Sequence, residues 1–303
     1  MPVVPLEYMP TGHKQGDWGY VMDKLWAPYF GGRTGRFWAA SGMAPVGEDV
    51  SEDYAVVHSD HGVLGDCGMT VYTTEELRGV RAVEFTQLRQ FKGLFTLSEY
   101  YANRLRTRLG LCNVLGVLPY PVMPGLAPTS FVQRNRVAVN QRMSEEKAPL
   151  LVMRLAERLP EYQFVFTGAS RPSGGYKELY ASMLEVAPPN VSFKELPTKG
   201  AYYEFLAASS CGLSTTFQDN FGVAAVETQM CGRPYVAPRM FAFPEMVPKK
   251  WMYEPWALNQ IAHRIRASSL VEAYHFERRE RFSSPRAAVE EVAFRAGFTS
   301  RLG

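Results

Sequence analysis

The amino-acid sequence predicts an α/β protein with two Rossmann-like, doubly wound domains. In the second half of the chain, short apolar strands alternate with segments of helical periodicity, which is typical of a parallel sheet covered by helices on both faces. The length of 303 residues suits two hydrophobic cores of about 150 residues each. The composition, with 46% hydrophobic and 21% charged residues, is that of an ordinary globular protein.

The first domain begins with the strand, glycine loop and helix that typically open a nucleotide-binding fold. The apolar segment 3–8 is the candidate strand, and Gly12, His13 and Gly16 lie in the loop after it. A later helix has Ser98 as its candidate cap. Further strands are predicted at 36–40, at 54–57, at 69–73 and from residue 93.

Polar side chains follow the predicted strand 54–57, where parallel sheets bind their ligands. His58, Asp60 and His61 lie there, and two His with one carboxylate are able to ligate a metal ion. The alternative is that these side chains line a ligand crevice without a metal ion. The loop with His13, judged by its own residues, fits a simple tight turn with a solvated His.

The second domain shows the clearest alternation of strands and helices. We place the first domain at residues 1–125, the second at 130–270 and a charged, helical tail at 271–303, with a Pro/Gly/Ser-rich linker at 124–130. The tail is expected to pack back toward the first domain. The predicted elements of the second domain are 136–140, 149–159, 163–167, 175–186, 191–194, 200–209, 211–215, 222–231 and 234–237.

Two carboxylates, Asp219 and Glu227, lie on either side of a Phe-Gly pair where a loop is predicted to run into a helix. A helix that begins near residues 220–222 directs unpaired backbone N–H groups and its positive dipole end toward an anion such as a diphosphate. Gly222 permits close approach, because it has no Cβ. Asp219 is then placed to accept hydrogen bonds from sugar hydroxyls and Glu227 from a ribose. The alternative, in which Asp219 is only the helix N-cap and Glu227 is only solvated, remains open.

Two cations, Arg142 and Lys147, lie at a predicted strand-to-helix turn. A doubly wound sheet places its ligand crevice at such turns. Both side chains neutralise a pyrophosphate well, Arg with a planar fork and Lys with a mobile point charge. The alternative is that both are ordinary solvated cations.

Together, these segments resemble the carboxy-terminal half of a GT-B glycosyltransferase, most closely the retaining enzymes of glycosyltransferase family 4. That family carries an Arg and, five residues further on, a Lys, matched here by Arg142 and Lys147. Its E-x7-E element around Phe-Gly is matched by Asp219 to Glu227, and its small-Gly-x-Pro turn by residues 231–234. The resemblance covers residues from about 90 to 265.

The resemblance implies the GT-B fold, in which two Rossmann-like domains face a central cleft. It implies a retaining glycosyltransferase that moves a hexosyl or pentosyl group from a UDP- or GDP-sugar to a hydroxyl acceptor, with no prosthetic group and no metal requirement. Catalytic roles are implied for Arg142, Lys147 and Asp219. The implied donor contacts are Glu227, Asn220, Phe221, Gly222, Val223, Gly12 and Gly16, and weaker acceptor contacts are implied for His13, His58 and Asp60.

One position departs from the family pattern. The first Glu of the E-x7-E element is Asp219, one methylene shorter, which leaves the identity of the donor sugar open. The acceptor, whether a glycan, a lipid or a hydroxylated nucleobase in DNA, and the oligomeric state are also open. A GT-B nucleotide-sugar epimerase and a non-catalytic module that binds a nucleotide sugar or DNA are the alternative functions.

Charge and cysteine content point to an ordinary cytoplasmic protein. The formal net charge of +3 suits an anionic donor but is too small to require nucleic acid. The four cysteines are widely spaced, without the spacing of metal ligands, and are expected to be reduced. No apolar run approaches the length needed to span a bilayer, and no signal peptide is recognised.

Overall fold

The computed structural model describes residues 7–9, 36–41, 54–59, 93–117, 119, 122, 131–168, 176–217, 219, 221–283, 290–291 and 294–295. The chain divides into two compact units, of which the first comprises Met1–Pro121 with Glu280–Gly303 and the second Val122–Arg279. In the described ranges, no helix is long and apolar enough to cross a membrane.

The first unit contains a parallel sheet of five described strands in the order β1-β2-β3-β4-β5. One helix, α1 (Glu99–Leu109), follows β4, and the Ser98 hydroxyl caps it by accepting a hydrogen bond from the Tyr101 N–H at 3.3 Å. The predicted cap is therefore confirmed. The strands are β1 (Glu7–Met9), β2 (Arg36–Ser41), β3 (Tyr54–Ser59), β4 (Gly93–Thr96) and β5 (Val114–Val117).

The second unit is built on a parallel sheet of six strands in the order β11-β10-β9-β6-β7-β8. From β6 the chain continues to β7 and β8 on one side of the sheet, and from β9 it continues to β10 and β11 on the other side. The topological switch point therefore lies between the neighbouring strands β6 and β9. Doubly wound sheets bind ligands at the carboxyl ends of the strands at this point. The strands are β6 (Gln133–Arg142), β7 (Gln163–Gly168), β8 (Val191–Phe193), β9 (Ser209–Leu213), β10 (Tyr235–Pro238) and β11 (Met252–Tyr253).

Helices follow the strands of the second unit, and short 3-10 turns lie at Glu145–Lys147 and Lys249–Trp251. Their positions agree closely with the predicted alternation between 136 and 237. The helices of this unit are α2 (Pro149–Arg158), α3 (Tyr176–Val186), α4 (Lys199–Ala207), α5 (Val223–Met230), α6 (Phe243–Met246) and α7 (Leu258–Ser269). A further helix, α8 (Arg279–Ser283), begins at the last residue of the second unit and otherwise belongs to the first.

The core of the second unit lies on both faces of the sheet because the central strands are buried on both sides. Val137 and Val139 of β6 pack with residues of α2, α3 and α7 on one face. Ala138, which points to the opposite face, packs with residues of α4. This arrangement accounts for the continuous apolar character of the strands and fixes their carboxyl ends as the polar edge where the site is built.

The structure differs from the sequence prediction in the tail. The segment 270–278 is not helical: α7 ends at Ser269 and α8 begins at Arg279. Charge patterning alone gave no signal for this break, since a run of charged residues suits a solvated loop as well as a helix face. Of the predicted strand 3–8, Glu7 and Tyr8 are described and belong to β1, while residues 3–6 and the predicted strand 69–73 lie outside the described part of the chain.

Candidate functional site

The loop after β6 carries both predicted cations and is tied to the loop after β9. The Gln141 side-chain amide donates to the Lys147 carbonyl at 2.8 Å and to the Thr215 hydroxyl at 3.0 Å. Its carbonyl accepts from the Ser214 hydroxyl at 3.1 Å. The Phe217 N–H donates to the Glu146 carbonyl at 2.9 Å. The loops of the two strands that flank the switch point are therefore joined to each other.

Arg142 is the last residue of β6, and its side chain is 59% exposed. Its guanidinium donates to the Glu146 carboxylate at 2.7 Å, and that same oxygen accepts from the Ser144 hydroxyl at 2.5 Å. Burial raises the pKa of Glu146, but the hydrogen bonds from Ser144 and Arg142 outweigh it and lower the pKa below its usual value. Arg142 is thus tied to the loop by the Glu146 carboxylate while more than half of its side chain is exposed.

Lys147 pairs with the first carboxylate of the predicted motif. Its ammonium lies 2.9 Å from the Asp219 carboxylate, and the Lys147 side chain is only 12% exposed. The other oxygen of Asp219 accepts from the Phe221 N–H at 3.1 Å. Asp219 is not the N-cap of α5, which is Gly222. The structure therefore brings Lys147 and Asp219 together directly before the helix.

Helix α5 begins at Val223, close to the predicted start, and its cap is a glycine in a left-handed conformation. Gly222 has φ 84° and ψ 51°, a region that L side chains rarely adopt. A Cβ at this position would lie 2.9 Å from the Phe243 ring. Among the described residues no side chain caps this helix, and the helix starts four residues after Asp219 in the chain.

Replacing Gly222 by Ala is expected to lower the free energy of unfolding by about 2 kcal/mol or more, because left-handed strain and a steric clash add together. Gly110→Ala is the matched control: Gly110 has φ 61°, but nothing lies within 4 Å of the Cβ position. That control should lose only the conformational term of about 1 kcal/mol. Urea unfolding curves measure both losses, and equal losses would contradict the role of Phe243.

Glu227 is 6% exposed, so it is a buried residue rather than a solvated one. One carboxylate oxygen accepts from the Tyr202 hydroxyl at 2.8 Å, and the other is ion-paired with the Lys199 ammonium. The Tyr202 hydroxyl in turn accepts from the Asn140 amide at 3.0 Å. Burial, followed by the charge of Glu227, raises the pKa of Tyr202 well above its usual value, which keeps its hydroxyl protonated as a donor.

Asn140 joins this network to α5. Its amide nitrogen also lies 3.2 Å from the Ala224 carbonyl and 3.0 Å from the Thr228 hydroxyl. Asn140 is the third residue from the end of β6, so the strand that ends in Arg142 also fixes the helix that carries Glu227. The carboxyl end of β6, the start of α4 and the first two turns of α5 are thus linked by side-chain hydrogen bonds.

Sequence reasoning missed Lys199, Tyr202 and Asn140. Tyr202 lies in the predicted element 200–209 and Lys199 directly before it, but neither side chain was assigned a role. Three residues apart on one helix, they share a face, and this spacing is the signal that was available. Their contact with Glu227 spans more than twenty residues of sequence, which no local pattern reports.

Of the remaining predicted site residues, some are described by the structure and others are not. Phe221 is buried and Val223 is the first residue of α5. His58 lies near the carboxyl end of β3, in register with Ala40 and Thr96 of the neighbouring strands. The predicted residues Gly12, His13, Gly16, Asp60 and Asn220 lie outside the described part of the chain.

Comparison with known proteins yields one curated relative and many solved structures, whereas no protein-family model matches the chain. The relative is a D-inositol 3-phosphate glycosyltransferase of Mycobacteroides abscessus, 29% identical over 116 residues, which are 37% of this chain and 26% of the relative. Sucrose-phosphate synthase from Thermosynechococcus elongatus superposes with a TM-score of 0.61 at 14% identity, over 95% of this chain and 90% of the other. The pneumococcal O-GlcNAc transferase GtfA, solved with UDP and GlcNAc, gives a TM-score of 0.56 at 13% identity, over 86% of this chain and 53% of the other.

These likenesses confirm the predicted α/β fold of the GT-B class and the resemblance to GT-B glycosyltransferases. The chain spans about a quarter of the length of the curated relative it matches. The solved structures are too distant in sequence to carry more than the fold.

Proposed function

We propose that the protein is a retaining glycosyltransferase that transfers a sugar from a nucleoside-diphosphate sugar to a hydroxyl acceptor. The observation that carries the proposal is the contact between Lys147 and Asp219 directly before the N-terminus of α5, at the switch point of the second sheet. A cation, a carboxylate and the N-terminus of a helix, where the first N–H groups have no partner within the helix itself, suit a sugar joined to a diphosphate.

The diphosphate is the leaving group, and negative charge develops on it as the anomeric bond breaks. In the proposed arrangement, Lys147, Arg142 and the N–H groups at the start of α5 stabilise that charge more strongly in the transition state than in the bound donor. The low exposure of the Lys147 side chain supports this role, since a preorganised charge in a partly water-excluded site acts more strongly than a solvated one.

Asp219 and Glu227 hold the two ends of the donor in this proposal. Asp219 accepts hydrogen bonds from the transferred sugar while remaining beside Lys147, and Glu227 accepts from the ribose hydroxyls. The burial of Glu227 and its two fixed partners support a binding role, because a carboxylate held in place by hydrogen bonds is oriented before its ligand arrives. Neither carboxylate is needed for proton transfer. With retention, the departing phosphate assists deprotonation of the acceptor on the same face.

The comparisons support a UDP-sugar as donor, since a solved protein of the same fold was crystallised with UDP and GlcNAc and the curated relative is named a glycosyltransferase. The proposed acceptor is a hydroxyl of a glycan, a lipid or a hydroxylated nucleobase. The proposed site of action is the cytoplasm.

The proposal is tested by incubating the protein with a panel of UDP- and GDP-sugars and with separate pools of glycan, lipid and hydroxylated DNA. Diphosphate release that depends on both a donor and one acceptor pool is the expected result, with retention read from the anomeric NMR signals of donor and product. Donor conversion without any acceptor would indicate the epimerase instead. Donor binding without turnover in any pool would indicate a binding module.

A further inference from the structure

The carboxylate of Glu227 retains acceptor capacity beyond its two described partners. Each carboxylate oxygen accepts about two hydrogen bonds. Among the described residues, one oxygen is contacted by Tyr202 and the other by Lys199. One further position on each oxygen therefore suits a vicinal diol, which presents two hydroxyl donors side by side. Tyr202 and Lys199 thus orient the Glu227 carboxylate without occupying all of its hydrogen-bond acceptor positions.

The two partners of Glu227 approach it from different environments. Tyr202 is tied to Asn140 on β6, within the packed network between strand and helix. Lys199 is the first residue of α4, and its side chain is 56% exposed. Tyr202 therefore holds Glu227 from within the packed network, whereas Lys199 contacts it from the solvent-exposed side.

The Lys199 ammonium is held in place by more than its ion pair. It lies 4.6 Å from the centroid of the Tyr202 ring and 5.2 Å from that of the Tyr203 ring, within the range of cation–π attraction. Helix α4 itself starts at a defined position, because the Thr198 hydroxyl caps it by accepting from the Ala201 N–H at 3.1 Å. An ammonium has three donors, and its contact with Glu227 uses one of them.

From this geometry we infer that Lys199 is a ribose-recognition residue, which orients Glu227 and donates a hydrogen bond to the 2′-hydroxyl oxygen of the bound nucleotide. The inference rests on the proposed function, and it adds a specificity: the site selects ribonucleoside diphosphates over their 2′-deoxy counterparts. A deoxy analogue leaves a donor of Lys199 and an acceptor position of Glu227 without a partner. Sites built to hydrogen-bond a hydroxyl reject the analogue that lacks it for this reason.

The test measures dissociation constants by calorimetry for UDP and 2′-deoxy-UDP, and for GDP and 2′-deoxy-GDP. Wild-type protein is expected to bind the preferred ribonucleotide at least about tenfold more tightly than its deoxy form. Lys199→Met is expected to weaken binding of the ribonucleotide by about tenfold and binding of its deoxy form much less. The ratio of the deoxy to the ribo dissociation constant therefore falls. Lys199→Arg, which keeps a charged donor, should restore part of the ratio.

Lys250→Met is the matched control. Lys250 is an exposed lysine whose ammonium lies 5.6 Å from the Trp251 ring centroid, so the same change removes a cation and an aromatic contact at a different place. It should leave the ratio unchanged. An unaltered ratio in Lys199→Met, or equal losses for both nucleotides, overturns the role of Lys199. Absence of binding by the wild-type protein to either ribonucleotide overturns the proposed function itself, so the two failures are distinct.

Discussion

Replacing Lys147 by Met is expected to lower kcat/KM for sugar transfer by about 100-fold or more. Lys147 has the least exposed side chain of the site's described cations and pairs with Asp219 just before α5, so in the proposed mechanism it is the charge that stabilises the departing diphosphate most strongly. Removing one preorganised donor from a developing oxyanion typically costs about 3 kcal/mol. Methionine keeps the length of the side chain, so packing is largely retained. Diphosphate release under steady-state conditions measures the effect.

The matched control for this variant is Arg266→Met. Arg266 forms an exposed ion pair with Glu161 at 3.2 Å on the surface of α7, and exposed pairs contribute little to stability. Transfer should continue at the wild-type rate in the control. A Lys147→Met protein with wild-type kcat/KM would remove Lys147 from the mechanism, and a thermal unfolding curve establishes that its fold is unchanged.

Replacing Glu227 by Gln is expected to weaken binding of the nucleoside diphosphate by about 100-fold, because the change removes the charged partner of Lys199, which is also the proposed acceptor for the ribose hydroxyls. Gln is a sharper probe than Ala. It keeps an oxygen that accepts from Tyr202, whereas Ala would leave the Tyr202 hydroxyl without its acceptor and a void beside α5. Calorimetric titration with UDP and GDP measures the change.

Glu161→Gln controls for the loss of one carboxylate, since Glu161 is half exposed and pairs with Arg266. Nucleotide affinity should be preserved in that variant. Equal affinity in wild type and Glu227→Gln would show that Glu227 is a structural carboxylate for Tyr202 and Lys199 and not a ligand-binding one.

The architecture of the second unit was predictable because its local signals agree with one another. Apolar strands such as β6 and β9, and helices with a clear starting signal such as Pro149 of α2, gave boundaries within a few residues of those observed. The start of α5 was predictable from Gly222, since a glycine before an apolar periodic segment marks a position where the backbone turns.

The pairings within the site were less accessible to sequence reasoning. Arg142 and Lys147 were grouped as one pair of cations, but each has its own carboxylate, Glu146 for the first and Asp219 for the second. The partner of Lys147 lies on another loop, and the choice between the two acids depends on the geometry of the turn between β6 and α2. Only three-dimensional packing decides such a choice.

The side-chain amide of Gln141 joins two loops at the carboxyl edge of the second sheet. This one group hydrogen-bonds to the backbone at Lys147 and to Ser214 and Thr215, so it joins the loop after β6 to the loop after β9. The two loops are therefore held in position without a ligand. Loops that are already held in place lose little conformational entropy when a ligand binds to them. For the proposed nucleotide, affinity is therefore expected to depend on contacts already in place, and losing the Gln141 hydrogen bonds is expected to reduce it without changing any group proposed to contact the ligand.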